Sequence, residues 1–145
     1  MNLDVTEING ACHCRSVRFQ VRLSNGLRTA RRCTCSYCRM RGAVVVTAPL
    51  EGLKILSGEA MLTAYQFNTG TAKHFFCSRC GIYTHHRRRS NPDELGVNVA
   101  CLEGISPFDF GEVIVNDGIN HPADDTGKMR SGIAGVLRFF PEVSE

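Results

Sequence analysis

The sequence predicts an all-β fold with little helix, and three observations predict it. Residues 16–23 alternate Val17, Phe19, Val21 and Leu23 with Arg18, Gln20 and Arg22, the period of two that puts one face of a strand in a core and the other in water. Short β-branched or aromatic segments recur along the chain, separated by turn residues. Seven of the eight cysteines fall in three tight clusters, which can cross-link a small β domain.

Taken in order, residues 43–47 are a β-branched run, and residues 53–56 and 61–67 are further strands set apart by Gly52, Gly58 and the stretch 68–70. Hairpins or a meander follow from that spacing. Residues 73–76, 82–86 and 95–102 add three strands, with Gly81 and the turn signal Ser90-Asn91-Pro92-Asp93 between them. Helix is confined to one turn, capped by the Ser36 side chain, running through Tyr37 to Met40 and stopped at Gly42. Residues 116–127, with Asp117-Gly118, His121-Pro122 and Asp124-Asp125, read as a surface loop and a candidate lid.

The 145 residues, 43% hydrophobic and 21% charged, fit a single domain over 1–145. No apolar run approaches the roughly 20 residues that cross a bilayer. The first ten residues carry Asp4 and Glu7 where a secretory leader needs a basic end and an apolar stretch. The expectation is a soluble cytoplasmic protein with no membrane partner. In a reducing compartment, closely spaced cysteines read as metal ligands rather than disulfides. The formal charge of +3 vanishes if seven cysteines bind two Zn²⁺ as thiolates, so overall charge gives no support to a nucleic-acid partner.

The clusters are Cys12-His13-Cys14, then Cys33-Thr34-Cys35-Ser36-Tyr37-Cys38, then Cys77-Ser78-Arg79-Cys80. In an extended segment alternate residues share a side, so Cys12 and Cys14 offer both sulfurs to one ion while His13 points away. Cys77 and Cys80 have the spacing of a turn in which two sulfurs converge, with Gly81 allowing the backbone twist. Together these four make a closed, structural Zn²⁺ site. The middle cluster supplies three sulfurs and leaves a fourth position for water or substrate, the mark of a catalytic zinc. Cys101 shares a strand face with Val97 and Val99 and reads as a buried thiol; the alternative, a fourth ligand to the middle cluster, would close that site.

Gly10-Ala11-Cys12-His13-Cys14 with Val17-Arg18-Phe19, Cys33 to Arg39 with Gly42-Ala43, and Phe76-Cys77-Ser78-Arg79-Cys80-Gly81 resemble, in order, the three signature blocks of the glutathione-dependent formaldehyde-activating enzyme family, also called the GFA or centromere-protein-V type domain. With Val97-Asn98-Val99 the resemblance spans most of the chain. It implies a zinc-stabilised β-tent fold, a structural zinc on Cys12, Cys14, Cys77 and Cys80, and a catalytic zinc on Cys33, Cys35 and Cys38. It also implies a carbon-sulfur lyase of the S-(hydroxymethyl)glutathione synthase type, acting on glutathione with formaldehyde or another aldehyde.

That chemistry asks for a thiolate held at the open site, a proton source and anion-binding groups. Tyr37 and His121 are candidate proton sources, although packing of the Tyr37 ring on the metal loop is the favoured reading. Arg31, Arg32, Arg39 and Arg41 crowd the middle cluster, and Arg39 and Arg41 are assigned to glutathione's carboxylates. Arg87-Arg88-Arg89 reads as a polar loop before an anion site, and His13, His74, His85 and His86 as packing or solvated residues before ligands. A second class stays open, a non-catalytic zinc-stabilised module binding protein or nucleic acid. A thiol oxidoreductase built on Cys77 and Cys80 lacks the βαβ context of that motif.

Overall fold

The computed structural model describes residues 1–119 and 132–143. A small sheet has the order β1 (Glu7–Ala11), β2 (Arg18–Arg22), β5 (Leu53–Ser57). A larger sheet runs β11-β10-β3-β4-β9-β8-β7-β6. Its strands in chain order are β3 (Arg31–Cys33), β4 (Val45–Pro49), β6 (Leu62–Tyr65), β7 (Lys73–Cys77), β8 (Tyr83–Arg87), β9 (Glu94–Asn98), β10 (Glu112–Asn116) and β11 (Ile133–Arg138). Neighbours are antiparallel except β3 and β10, which pair in parallel. The one α-helix, α1, is Ser36–Arg41. The all-β reading therefore holds, and no helix among the described residues is long and apolar enough to cross a membrane.

The alternation read from residues 16–23 does its work in β2: Phe19, Val21 and Leu23 are buried and meet Val46, Ala48, Leu95 and Val97 of the larger sheet. Non-polar faces of the two sheets thus share one core. Residue 19 also explains a strand that local pattern does not mark. Asn9 and Gly10 look like turn residues, yet Gly10 pairs with Phe19, and a Cβ at position 10 would collide with that ring, 2.7 Å from its Cε2 and closer to its Cζ. Glycine is needed there for close approach.

Some boundaries differ from expectation. The strand at residues 16–23 starts at Arg18, because the chain from Cys12 to Val17 turns back on itself, with Cys12 N–H on the Val17 carbonyl at 3.1 Å and Arg15 N–H on the Cys12 carbonyl at 3.0 Å. Cys12 and Cys14 consequently converge in a turn, not along an extended segment. The strand at 95–102 stops at Asn98, whose side chain accepts from Ala100 N–H at 3.0 Å and starts a 3₁₀ turn over Val99–Cys101. The predicted loop from 116 begins as the end of β10; positions 120–127, His121 included, lie outside the described residues. Strands β3, β10 and β11 carry no clear alternation and are made by pairing.

Gly58 holds φ at +78°, and a Cβ there would lie 2.6 Å from the Ser16 carbonyl carbon, within the turn that carries the first cysteine pair. Gly58→Ala combines left-handed strain with a backbone collision. Chemical denaturation should show a loss of roughly 2–4 kcal/mol.

Candidate metal centres

The first centre joins two turns. Cys12 and Cys14 leave β1, Cys77 and Cys80 form the β7–β8 turn, and Gly81 takes φ +78° as the spacing requires. Cys12 Sγ stands 3.6 Å from Cys14 Sγ, and Cys14 Sγ 3.7 Å from Cys77 Sγ. Zn–S bonds of about 2.3 Å in a tetrahedron give an edge of about 3.8 Å, so these separations suit one ion. All four sulfurs lie within 4.8 Å of one another, and none is in a disulfide. Burial pushes the Cys12 thiol up to about 11, whereas hydrogen bonding from Ser16 brings Cys14 down to about 6. A divalent cation removes that conflict by ligating every sulfur as thiolate.

The second centre grows from the end of β3. Cys33 is its last residue; Thr34 N–H then bonds the Asn116 carbonyl at 3.1 Å and swings the chain into α1. Cys35, rather than the expected Ser36, is the N-cap: its Sγ accepts from Cys38 N–H at 3.3 Å, a sulfur serving where a hydroxyl oxygen usually does. Ser36 instead lies exposed. Gly42 ends the helix at φ 72°, with its N–H on the Cys38 carbonyl at 2.8 Å. Each sulfur thereby receives one N–H donor: Cys33 from Cys35 N at 3.4 Å, Cys35 from Cys38 N, and Cys38 from Arg41 Nη2 at 3.4 Å.

The three sulfurs lie within 4.8 Å of one another, and no fourth His, Cys, Asp or Glu joins them among the described residues. Hydrogen bonds from Cys33 and Cys38 hold the Cys35 thiol far below its usual range, while Cys33 and Cys38 are raised by the same sharing. A donor set of this kind fits a soft or borderline divalent cation. Cys101 is outside both clusters, buried, with its Sγ 3.5 Å from the Tyr83 carbonyl and its pKa pushed up to about 12 by burial.

A cavity of about 530 Å³ opens over the second centre. Arg31, Arg32, Arg39 and Arg41 line it as the sequence suggests, and the turn after β8 adds Arg88 and Arg89. Arg31 Nη1 is tied to Thr47 Oγ1 at 2.8 Å, and burial, then the nearby Arg88 charge, lowers its pKa to about 10. Arg88 itself pairs with Glu94 at 3.2 Å. Arg41 bonds Cys38 and His74 Nδ1 (2.9 Å) and lies 3.7 Å over the Tyr83 ring. Tyr37 packs its ring against His74 at 4.4 Å and Tyr65 at 5.4 Å. His85 stacks on Phe75 at 4.6 Å and His13 is exposed; neither joins a cluster.

Sequence reasoning missed Phe67, His74 and His86 on the cavity wall, and Gly118 against the metal loop. Gly118 N–H donates to Thr34 Oγ1 at 3.0 Å, and a Cβ at 118 would sit 2.7 Å from both Cys35 N and Cys35 Cβ and collide with Cys33 Sγ. The two residues are 84 apart, so only the β3–β10 pairing reveals the contact.

Fold and site together define a class of small β protein with two cysteine clusters built to hold metal ions, one closed by four sulfurs and one facing a cavity with three. The model of the glutathione-dependent formaldehyde-activating enzymes matches residues 7–111, and the chain belongs to that family. A crystal structure of a Rhodobacter sphaeroides protein, 59% identical, superposes with a TM-score of 0.72 over 73% of this chain and 97% of that one. The matched segment contains all seven clustered cysteines and ends before Asn116–Ile119 reach the cavity.

Gly118→Ala should weaken metal retention at Cys33, Cys35 and Cys38 by roughly 10–100-fold in chelator competition while the four-cysteine centre keeps its ion. Cys101→Val should leave the metal content of both centres unchanged and alter stability by less than about 1.5 kcal/mol on denaturation.

Proposed function

We propose that the protein is a zinc-dependent, carbon-sulfur lyase-type enzyme that interconverts glutathione plus formaldehyde, or another aldehyde, with the S-(hydroxyalkyl) adduct. Two Zn²⁺ per chain are assigned, a structural ion on Cys12, Cys14, Cys77 and Cys80 and a catalytic one on Cys33, Cys35 and Cys38. The observation that carries this reading is three convergent thiols at the floor of an arginine-lined cavity, with no fourth protein ligand among the described residues. Structural zinc sites of binding modules are usually closed by four protein ligands, whereas an open site with an arginine surround suits a small anionic thiol.

Zinc at the open centre supplies a position where a thiol gives up its proton near neutral pH. The chain's own residues do the remainder. Cys35 N, Cys38 N and Arg41 Nη2 orient the three sulfurs by hydrogen bonds. Arg39 is exposed on the cavity rim and Arg32 lines the same wall, each able to grip a carboxylate of the tripeptide with two parallel bonds. Arg41, committed to Cys38 and His74, contributes its charge, which offsets the net −1 of three thiolates and a divalent cation. Gly118 lies against Cys33 and Cys35 and leaves no room for a side chain on that side of the sulfur cluster.

Because the uncatalysed condensation already runs, the test compares exchange between free and hydroxymethylated glutathione by NMR at equal concentrations of wild type, Cys35→Ser and metal-stripped protein. Wild type should be faster than both controls. S-methylglutathione, which keeps both carboxylates but has no free thiol, should bind more weakly than glutathione. Equal binding of the two, with no rate advantage over Cys35→Ser, would overturn the reading.

A further inference from the structure

An arginine has five N–H donors and no acceptor. Its Nη1 at position 41 lies 2.9 Å from His74 Nδ1, so Nδ1 is the accepting nitrogen and the single proton of the neutral ring sits on Nε2. The ring cannot turn freely, since it is stacked on His86 at 5.0 Å, on Phe67 at 5.7 Å and against Tyr37 at 4.4 Å. Burial, then the Arg41 charge, lowers the His74 pKa to about 4, which keeps the ring neutral near pH 7.

His74 is 4% exposed and lines the cavity over Cys33, Cys35 and Cys38. Among the described residues its Nε2 has no hydrogen-bond partner. It is not fully buried either, because Arg41 Nε is the one fully buried side-chain nitrogen or oxygen without a partner among them. The arrangement is a neutral N–H donor, fixed in tautomer and orientation, on a side chain that lines the cavity. Tyr37 packs its ring in the aromatic cluster, and His86, whose Nδ1 is 2.6 Å from Tyr83 Oη, has as partner a hydroxyl that can donate or accept, so its tautomer is not set in this way.

We propose that His74 is a catalytic residue of the reaction assigned above, donating its Nε2 hydrogen bond to the oxygen of the aldehyde. This inference rests on that assignment. The thiol releases its proton to solvent, its sulfur forms the C–S bond to the carbonyl carbon, and the C=O π pair moves onto oxygen. His74 Nε2–H stabilises the charge that develops there without surrendering its proton, and the oxygen then takes a proton from solvent to give the hydroxyl. In the reverse direction the hydroxyl proton leaves, the C=O bond re-forms and the C–S pair returns to sulfur.

The experiment uses zinc-loaded, ¹⁵N-labelled protein and has two arms. Long-range ¹H–¹⁵N correlation should show the Nε2–H tautomer at His74, and hydroxymethylated glutathione should move its Nε2 resonance while S-methylglutathione, which has no hydroxyl, leaves it nearly in place. In the exchange assay His74→Phe, which keeps a stacking ring and removes the donor, should lose about 10²–10³-fold in rate with both metals retained. Its KM for glutathione should stay within about threefold, and His74→Gln should recover at least about tenfold over Phe. A proton on Nδ1, a resonance unmoved by the hydroxymethyl adduct, or a folded His74→Phe protein as fast as wild type would overturn the role of His74. Wild type no faster than Cys35→Ser would instead overturn the assigned reaction, and the resonance arm, which needs no turnover and no variant, still decides whether Nε2–H meets the hydroxyl.

Discussion

Thiolates crowded within a few ångströms of one another repel, and seven cysteine sulfurs that would meet this repulsion on ionising are brought into two such groups here. A divalent cation would relieve that repulsion in each group, and the four-cysteine group draws together two distant parts of the chain. Cys14 and Cys77 are 63 residues apart, one at the end of the small sheet and the other in a turn of the large one. The buried apolar residue with Cys12 and Cys77 in that region is Val17, flanked by the partly buried Met61 and Leu62. That cluster is too small to hold two sheets by burial alone. Metal ligation there would close a long loop and contribute to folding where the core is thin. The main core of Phe19, Val21, Val46 and Val97 lies elsewhere and does not need it.

The second group is built differently because it ends on a helix. β3 lies between β4 and β10, which places Cys33; backbone amides of Cys35 and Cys38, at the start of α1, then bond the sulfurs of Cys33 and Cys35. Backbone donors reach two sulfurs, and the third depends on a side chain, Arg41, which itself leans on Tyr83 and His74. Charge balance at the sulfurs and the tautomer of His74 are therefore set by one guanidinium. A closed four-sulfur site has no position to offer a substrate, whereas the three-sulfur site opens toward arginines on both β3 and the β8 turn.

Much of this was legible in the residues. Paired cysteines with short spacings name their own ligand groups, and β2, β4 and β9 carry enough apolar or alternating character to be read directly. What was hidden depends on pairing between distant segments. Strand β1 contains a glycine that makes sense only under the Phe19 ring, and β3 is three residues long. Gly118 looks like a turn residue until β10 lays it on Cys33. His74 looks like any histidine on a strand until Arg41, 33 residues earlier, is placed at its Nδ1. Ser36 was the better N-cap by side-chain type, but a cysteine already committed to the cluster occupies the preceding position and takes the amide.

The claim that all else turns on is that the second centre has three protein sulfurs and room for a fourth from substrate. Zinc-edge X-ray absorption on thiol-free, fully loaded protein measures it directly. The expected average is about 3.5 sulfurs per ion at about 2.3 Å, rising to about 4 when glutathione is added and unmoved by S-methylglutathione. Four sulfurs per ion before any thiol is added, or no rise afterwards, would contradict an open centre.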